Sequence, residues 1–271
     1  MNQREKEAKI NRIIEKIISD IKKVKIQGAS SIAKAALYAY SLKQDKKIKL
    51  KLINSRITEP LLVNTLNYYE KHGKKKTLEH FNLAQKKINK LVFKIIKNNS
   101  IIFTHCHSTN VVNALIYSKK KGKKFQVYNT ETRPLFQGRL TSKELKKEGI
   151  RVTQFVDSAA RVAIKKSDLV FLGADAILKT GAINKIGSGM FSEIAYDLKK
   201  PLYIIADSWK FTNHVKLEER NFREIWNKAP KNIRIKNPSF ELIEKKYIKA
   251  IVSELGILSF NRFIKRAKKQ N

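Results

Sequence analysis

Ser100-Ile101-Ile102-Phe103-Thr104-His105-Cys106-His107-Ser108 reads as a run of apolar β-formers that stops in a small polar loop. In open α/β sheets the carboxyl ends of the strands are where ligands and reactive groups collect. Cys106, the one cysteine of the chain, sits at such an end. A second apolar run, Asp168-Leu169-Val170-Phe171-Leu172, stops in the same way in Gly173-Ala174-Asp175. Beyond it, Asn184-Lys185-Ile186-Gly187-Ser188-Gly189 reads as a glycine-punctuated loop. A thiol, a carboxylate and a lysine loop at equivalent ends of one sheet point to acid–base work on a phosphorylated small molecule.

Working outward, further apolar runs at 125–128, 152–156 and 202–206 join those at 101–103 and 169–172. Helical patterns separate them, for example at 110–120 and 158–166, and strands alternating with helices give a parallel, doubly wound sheet. Upstream the texture is different. Ile10, Ile13, Ile14, Ile17 and Ile18 recur at the three-and-four spacing of one helical face. Gly28-Ala29-Ser30-Ser31 interrupts this pattern. A helix rich in small residues restarts at Ile32, and another is expected over 82–97. The expectation is an α/β protein with an N-terminal helical domain over 1–97 and a Rossmann-like parallel-sheet domain over 98–271.

Composition narrows the function classes. The hydrophobic fraction of 42% over 271 residues argues for a folded chain rather than disorder. No stretch approaches the roughly 20 apolar residues that span a bilayer. The charged start, Met1 to Lys6, has no signal-peptide apolar segment, and a lone cysteine suits a reducing, cytoplasmic setting. The net charge of +35 taken alone predicts a polyanionic partner. The lysines, however, are dispersed along nearly every helix, as in Lys86-Lys87-Ile88-Asn89-Lys90, and no aromatic-and-glycine RNA-binding signature accompanies them. The reading is a solvated basic surface rather than a nucleic-acid site, with no membrane association.

Five blocks, in order, carry a resemblance: Thr104-His105-Cys106; Glu131-Thr132-Arg133-Pro134 followed by Gln137-Gly138; Asp157-Ser158-Ala159-Ala160; Gly173-Ala174-Asp175; and Asn184-Lys185-Ile186-Gly187. Together they resemble the superfamily of ribose 1,5-bisphosphate isomerases, methylthioribose-1-phosphate isomerases and the regulatory subunits of translation initiation factor two-B. The similarity extends from Ile26-Gln27-Gly28-Ala29 to Ser253-Glu254-Leu255-Gly256 and so covers most of the chain. It implies the same fold that the periodicity predicts. It also implies a homo-oligomer, a dimer or a hexamer of dimers joined through the Rossmann-like domain, with a nucleotide as an activator.

Within that superfamily the isomerases carry the cysteine after Thr-His and the aspartate after Gly-Ala, and the regulatory subunits lack the pair. The chain has both, and its length and Asp157 block most resemble the archaeal ribose 1,5-bisphosphate isomerases. The resemblance therefore implies conversion of ribose 1,5-bisphosphate to ribulose 1,5-bisphosphate, a step between nucleoside breakdown and carbon metabolism. The alternative is a non-catalytic initiation-factor-like regulatory subunit binding a sugar phosphate or nucleotide. A sugar phosphorylated on its anomeric oxygen needs a proton delivered to the ring oxygen and another moved from carbon 2 to carbon 1. Two groups of different basicity do this by general acid–base catalysis. Asp175 is assigned the oxygen protons and Cys106 the carbon proton; the residue types also admit the reverse assignment or a hydride shift. This chemistry requires no metal or redox cofactor.

Each residue also has a plainer reading. A lone cysteine is commonly a small buried hydrophobe, and an aspartate after a strand is commonly a turn or cap residue. A zinc site from His105, Cys106 and His107 is set aside, because adjacent side chains on an extended strand face opposite ways. For phosphate binding, Gly28, Ala29 and Ser30 open a predicted helix whose N–H groups can hold an anion. Arg133 offers a planar donor and Lys185 a point charge. Arg56 stands where the isomerases carry an Arg-Pro pair, with Ile57 in place of the proline, and Asn184 is read as a ligand or as a brace for its own loop. Two departures bear on the substrate: Gln27 replaces an arginine before Gly-Ala, and His107 replaces an asparagine after the cysteine.

Overall fold

The computed structural model describes residues 2–270. Its first part is helical: α1 (Gln3–Lys22), α2 (Ala29–Leu42), α3 (Lys46–Ile53) and α4 (Pro60–Ile95). Local chemistry sets the starts of these helices. Asn2 and Glu5 form a reciprocal capping box on α1, and Asp45 accepts the Lys47 and Ile48 N–H groups at the start of α3. Ile14, Ile18 and Ile21 on α1 are buried against Ile32, Leu37, Leu62 and Leu66. The expected helical face is the one that packs. The helix expected over 82–97 is the second half of α4, which is broken at Gly73 (φ 78°, ψ 173°), a conformation glycine adopts without a Cβ clash.

The second part alternates strands and helices: β1 (Ser100–Thr104), α5 (Thr109–Lys120), β2 (Phe125–Thr130), α6 (Gln137–Lys147), β3 (Arg151–Phe155), α7 (Ala160–Lys166) and β4 (Leu169–Leu172). A short antiparallel pair follows, β5 (Ala176–Ile177) and β6 (Gly181–Lys185), then α8 (Ser188–Asp197) and β7 (Leu202–Ile205). Strands β8 (Phe240–Glu244), β9 (Ala250–Ser253), β10 (Gly256–Leu258) and helix α9 (Phe260–Ala267) complete the described chain. The main sheet has seven strands in the order β10-β9-β7-β4-β1-β2-β3, all parallel except the β9–β10 pair. This is an α/β fold with a helical N-terminal region and a Rossmann-like sheet.

Both sheet faces are covered, so the central strands read as continuous apolar runs rather than alternating ones. Phe103, Val170, Leu172 and Ile204 pack against α7, α8 and α9. Their neighbours Ile102, Leu169, Phe171 and Ile205 face the other way, against α5, α6 and the end of α4. Ile88, Val92 and Ile96 thus tie the helical region into the core of the sheet. Among the described residues no helix is long and apolar enough to cross a membrane.

Asn184 and Lys185 lie on β6 rather than in a loop. That strand pairs with β5 and β8 to make a second, three-stranded sheet. A Cβ at Gly181 would come 2.1 Å from the Ile243 carbonyl, so glycine there permits the close β6–β8 approach. Of the glycines that read as loop punctuation, Gly187 is the N-cap of α8 and Gly189 lies in its first turn.

Candidate active site

In the order β3-β2-β1-β4-β7 the chain reverses direction across the sheet between β1 and β4. In this topology ligands bind in the crevice outside the carboxyl ends of the strands at that point. Cys106 follows β1 and Asp175 follows β4, and both line one cleft. The same cleft takes Gly28, Ala29 and Ser30 from the start of α2, Arg56 and Glu59 from just before α4, and Asn184 and Lys185 from β6. Arg133 is not brought there. It is exposed, donates to the Ile225 carbonyl at 3.4 Å, and places its guanidinium 5.1 Å from the Phe136 ring centre.

Cys106 has φ 65°, in the left-handed region that a non-glycine residue occupies at some cost. Its backbone is pinned at both ends. The Cys106 N–H donates to Thr132 Oγ1 at 3.0 Å, and its carbonyl accepts from Thr141 Oγ1 at 2.8 Å. Thr132 is itself held by Asp157, whose carboxylate accepts the Thr132 and Arg133 N–H groups at 2.8 and 2.6 Å. His105 reaches the Ile186 carbonyl through Nε2 at 2.9 Å and Thr130 Oγ1 through Nδ1 at 2.5 Å. A carbonyl only accepts, so Nε2 carries the proton. Burial pushes this imidazole down to about 4, so it rests neutral. By the same logic His107 donates through Nδ1 to Thr141, whose own proton goes to Cys106; burial lowers this histidine also.

Two helix N-termini face the cleft. Gly28, the N-cap of α2, has φ 82° and leaves the Ala29 and Ser30 amides free of a side-chain cap. Ser108, the N-cap of α5, does the same for Thr109 and Asn110. Each end offers unpaired N–H groups and a partial positive charge to an anion. Between them stand three cations. Lys185 is 8% exposed with its ammonium 5.6 Å from the Phe240 ring centre. Arg56 pairs with Glu218 at 3.0 Å. Lys210 is 4% exposed and donates to the Ala174 carbonyl beside Asp175. The side-chain atoms Arg56 Nε, Glu59 Oε2 and Gln137 Oε1, all on residues lining the cleft, are buried without a hydrogen-bond partner. Buried polar groups in folded proteins are normally paired. A cleft with three such atoms has its hydrogen-bonding capacity reserved for a polar ligand.

The cleft sets the protonation of the pair. Burial pushes the Cys106 thiol up to about 11, with the Lys185 charge opposing, so it rests as a neutral S–H. Burial also raises Asp175, against the opposing charges of Lys210, Arg56 and Lys185. Residue patterns alone missed Lys210, Glu59 and the α5 terminus. The rule that singled out Cys106 also finds Lys210, which lies in the turn after β7, next to β4. Asn184 lines the cleft and donates to Ser188 Oγ at 2.8 Å, bracing the start of α8. Gln27 lines the cleft rim and is exposed, donating to the Val24 carbonyl at 3.0 Å.

Residues 68–260 match the initiation factor 2 subunit family. The chain is 34% identical to ribose 1,5-bisphosphate isomerase of Methanocaldococcus jannaschii, over 91% of each chain. It is 32% identical to the enzyme of the same name from Archaeoglobus fulgidus, over 88% of this chain and 87% of that one. Its fold is that of translation initiation factor eIF-2B from Pyrococcus horikoshii, at a TM-score of 0.83 and 24% identity over 97% of this chain and all of the other. The chain belongs to the initiation factor 2 subunit family.

Proposed function

We propose that this member of the initiation factor 2 subunit family is an aldose–ketose isomerase converting ribose 1,5-bisphosphate to ribulose 1,5-bisphosphate, with Cys106 and Asp175 as its acid–base pair. One observation carries the reading: a thiol and a carboxylate end the two strands that flank the switch point, in a cleft with two anion-binding helix termini. The relatives named for this reaction supply the substrate. A bisphosphate needs two anion sites, and the α2 and α5 termini with Lys185, Lys210 and Arg56 suit them. The sugar between them then meets Cys106 and Asp175.

The resting protonation favours the reverse of the assignment made on residue type. Cys106 gives its proton to the ring oxygen as the bond from that oxygen to carbon 1 breaks. Asp175 takes the proton of carbon 2, and the electron pair of that C–H bond closes a carbon 1–carbon 2 double bond. The resulting enol takes the proton back from Asp175 at carbon 1. Its hydroxyl proton on oxygen 2 returns to the Cys106 thiolate as the ketone forms. Each group ends as it began. A carboxyl raised towards neutrality is a better base than an ordinary one and still gives its proton up.

The chain works as a homo-oligomer, a reading that the exposed Phe222, Ile225, Trp226 and Ile233 support, and it works in the reducing cytoplasm that its lone thiol suits. The test is NMR detection of ribulose 1,5-bisphosphate from ribose 1,5-bisphosphate, with and without an added nucleotide. Cys106→Ser and Asp175→Asn should each fall about 100-fold or more, the loss expected for a general acid or base, with binding and melting temperature retained. A wild-type protein that turns nothing over and co-purifies with a factor subunit would give the chain a regulatory role instead.

A further inference from the structure

Glu59 is the least expected group in the cleft. It is 2% exposed and stands at the N-cap of α4, just before Pro60. A carboxylate there ordinarily accepts an N–H group of the helix it caps, but Glu59 makes no such bond and its Oε2 has no partner. Its side chain instead makes a hydrogen-bonding contact with Asp175. Two carboxylates cannot bond to each other unless one carries a proton.

The charges around the pair decide which one. Arg56 already pairs with Glu218, and Lys210 is anchored on the Ala174 carbonyl next to Asp175. Lys210, Arg56 and Lys185 all act to lower Asp175. Lys210 and Arg56 also act to lower Glu59, but burial first, and then the charges of Asp175 and Glu218, outweigh them and raise it well above the usual carboxylate range. The proton therefore sits on Glu59.

We propose that Glu59 is a positioning residue: its carboxyl O–H donates to the Asp175 carboxylate, forming a one-proton pair that fixes one Asp175 oxygen and leaves the other for the sugar. The proposal rests on Asp175 acting as the base in the isomerisation. Glu59 keeps its proton through the cycle. When Asp175 accepts the proton of carbon 2, the pair becomes neutral, and when carbon 1 takes the proton back, the pair regains its single charge. The donor bond stabilises the Asp175 anion, so it holds the base below the value that burial alone would impose. That matters for the return step, because an over-basic aspartate would hold on to the proton that carbon 1 needs.

The experiment has one readout that needs no turnover. Infrared difference spectra of the wild-type protein at neutral pH should show a protonated carboxyl besides that of Glu254, one retained in Cys106→Ser and in Glu254→Gln and lost in Glu59→Gln. Absence of that band from the wild type overturns the proposal. In kinetics, Glu59→Ala should lower kcat about tenfold or more, the size of a lost charge-assisted hydrogen bond, with KM changed less than about threefold and the acid limb of the kcat profile moved to higher pH. Glu59→Gln keeps an N–H donor and should recover most of that loss. If Asp175→Asn is inactive while Glu59→Ala keeps the wild-type kcat and acid limb, Glu59 has no positioning role and the isomerase reading stands. If Asp175→Asn turns over normally, Asp175 is not the base and the proposal falls with that assignment, while the isomerase activity stands. Should Glu59→Ala not fold, the infrared band and the pH profile of Glu59→Gln decide.

Discussion

The resting state of Cys106 is open to direct measurement, because the chain has no other cysteine to confuse the signal. Its ordinary value near 9 is pushed up to about 11 by burial. At pH 8 an ordinary thiol of this kind is about one-tenth ionised, and the buried one about one part in a thousand. Alkylation by iodoacetamide proceeds through the thiolate. The native protein should therefore react roughly 100-fold more slowly than the same chain unfolded in denaturant at the same pH. Access to the cleft also slows the reaction, so the slope with pH matters more than the absolute rate. Between pH 7 and 10 the native rate should climb about tenfold per pH unit without levelling, whereas the unfolded chain levels near its own value. Lys185→Met removes the cation that pulls the thiol down, so this variant should react more slowly still at each pH. Mass spectrometry of quenched samples follows the single adduct. A native rate that levels by pH 8 would mean that the thiolate is the resting form. Cys106 would then begin the cycle as a base, and the proton itinerary given above would be wrong.

Lys185→Met should raise KM roughly 10–100-fold, the effect of losing a charge-assisted contact in a buried site, whereas Arg133→Ala, whose side chain lies outside the cleft, should change it less than about threefold. Equal losses in both variants would return Arg133 to the substrate. Gly173→Ala would put a Cβ 2.6 Å from Ser108 Oγ at the start of α5. It should lower stability by about 1–3 kcal/mol and raise KM together; an unchanged melting curve and KM would refute the contact. Glu254 is raised to about 7, mostly by burial and next by the neighbouring Asp207 charge. Its charged form is disfavoured in the folded state, so stability is lost as pH rises from the unfolded value near 4.5 through 7. Glu254→Gln should exceed the wild type by less than about 1 kcal/mol near pH 5 and by up to about 3 kcal/mol above pH 8, read from melting curves at both pH values; parallel curves would discard the assignment.

The order of elements was legible from residues alone. Apolar runs at 101–103, 125–128, 169–172 and 202–206 became β1, β2, β4 and β7, because a strand covered on both faces has little room for polar side chains, and the run at 152–156 became β3, an edge strand with no fully buried residue. The isoleucine face of α1 was legible for the matching reason, since a helix on a core shows water only one side. Cys106 and Asp175 were legible as strand-end residues because the rule needs only the place where an apolar run stops. The strands β5, β6 and β8 were not. β5 has two residues, β6 carries Gly181, Asn184 and Lys185, and β6 pairs with β8 some sixty residues away in sequence, a register that no local pattern encodes.

What only the tertiary structure decided is which strand ends become neighbours. Strand order sets β1 beside β4, which brings Cys106 and Asp175 to one cleft, and β7 beside β4, which brings Lys210 next to Asp175. The same packing leads Arg133 away, because Asp157 fixes the Thr132–Arg133 backbone while the side chain runs to Phe136 and Ile225. It also buries Glu59 against a second carboxylate, a pairing invisible in the run Thr58-Glu59-Pro60. A residue type states what a group is able to do. Protonation and reactivity depend on burial and on neighbouring charges, which are fixed only when distant segments meet.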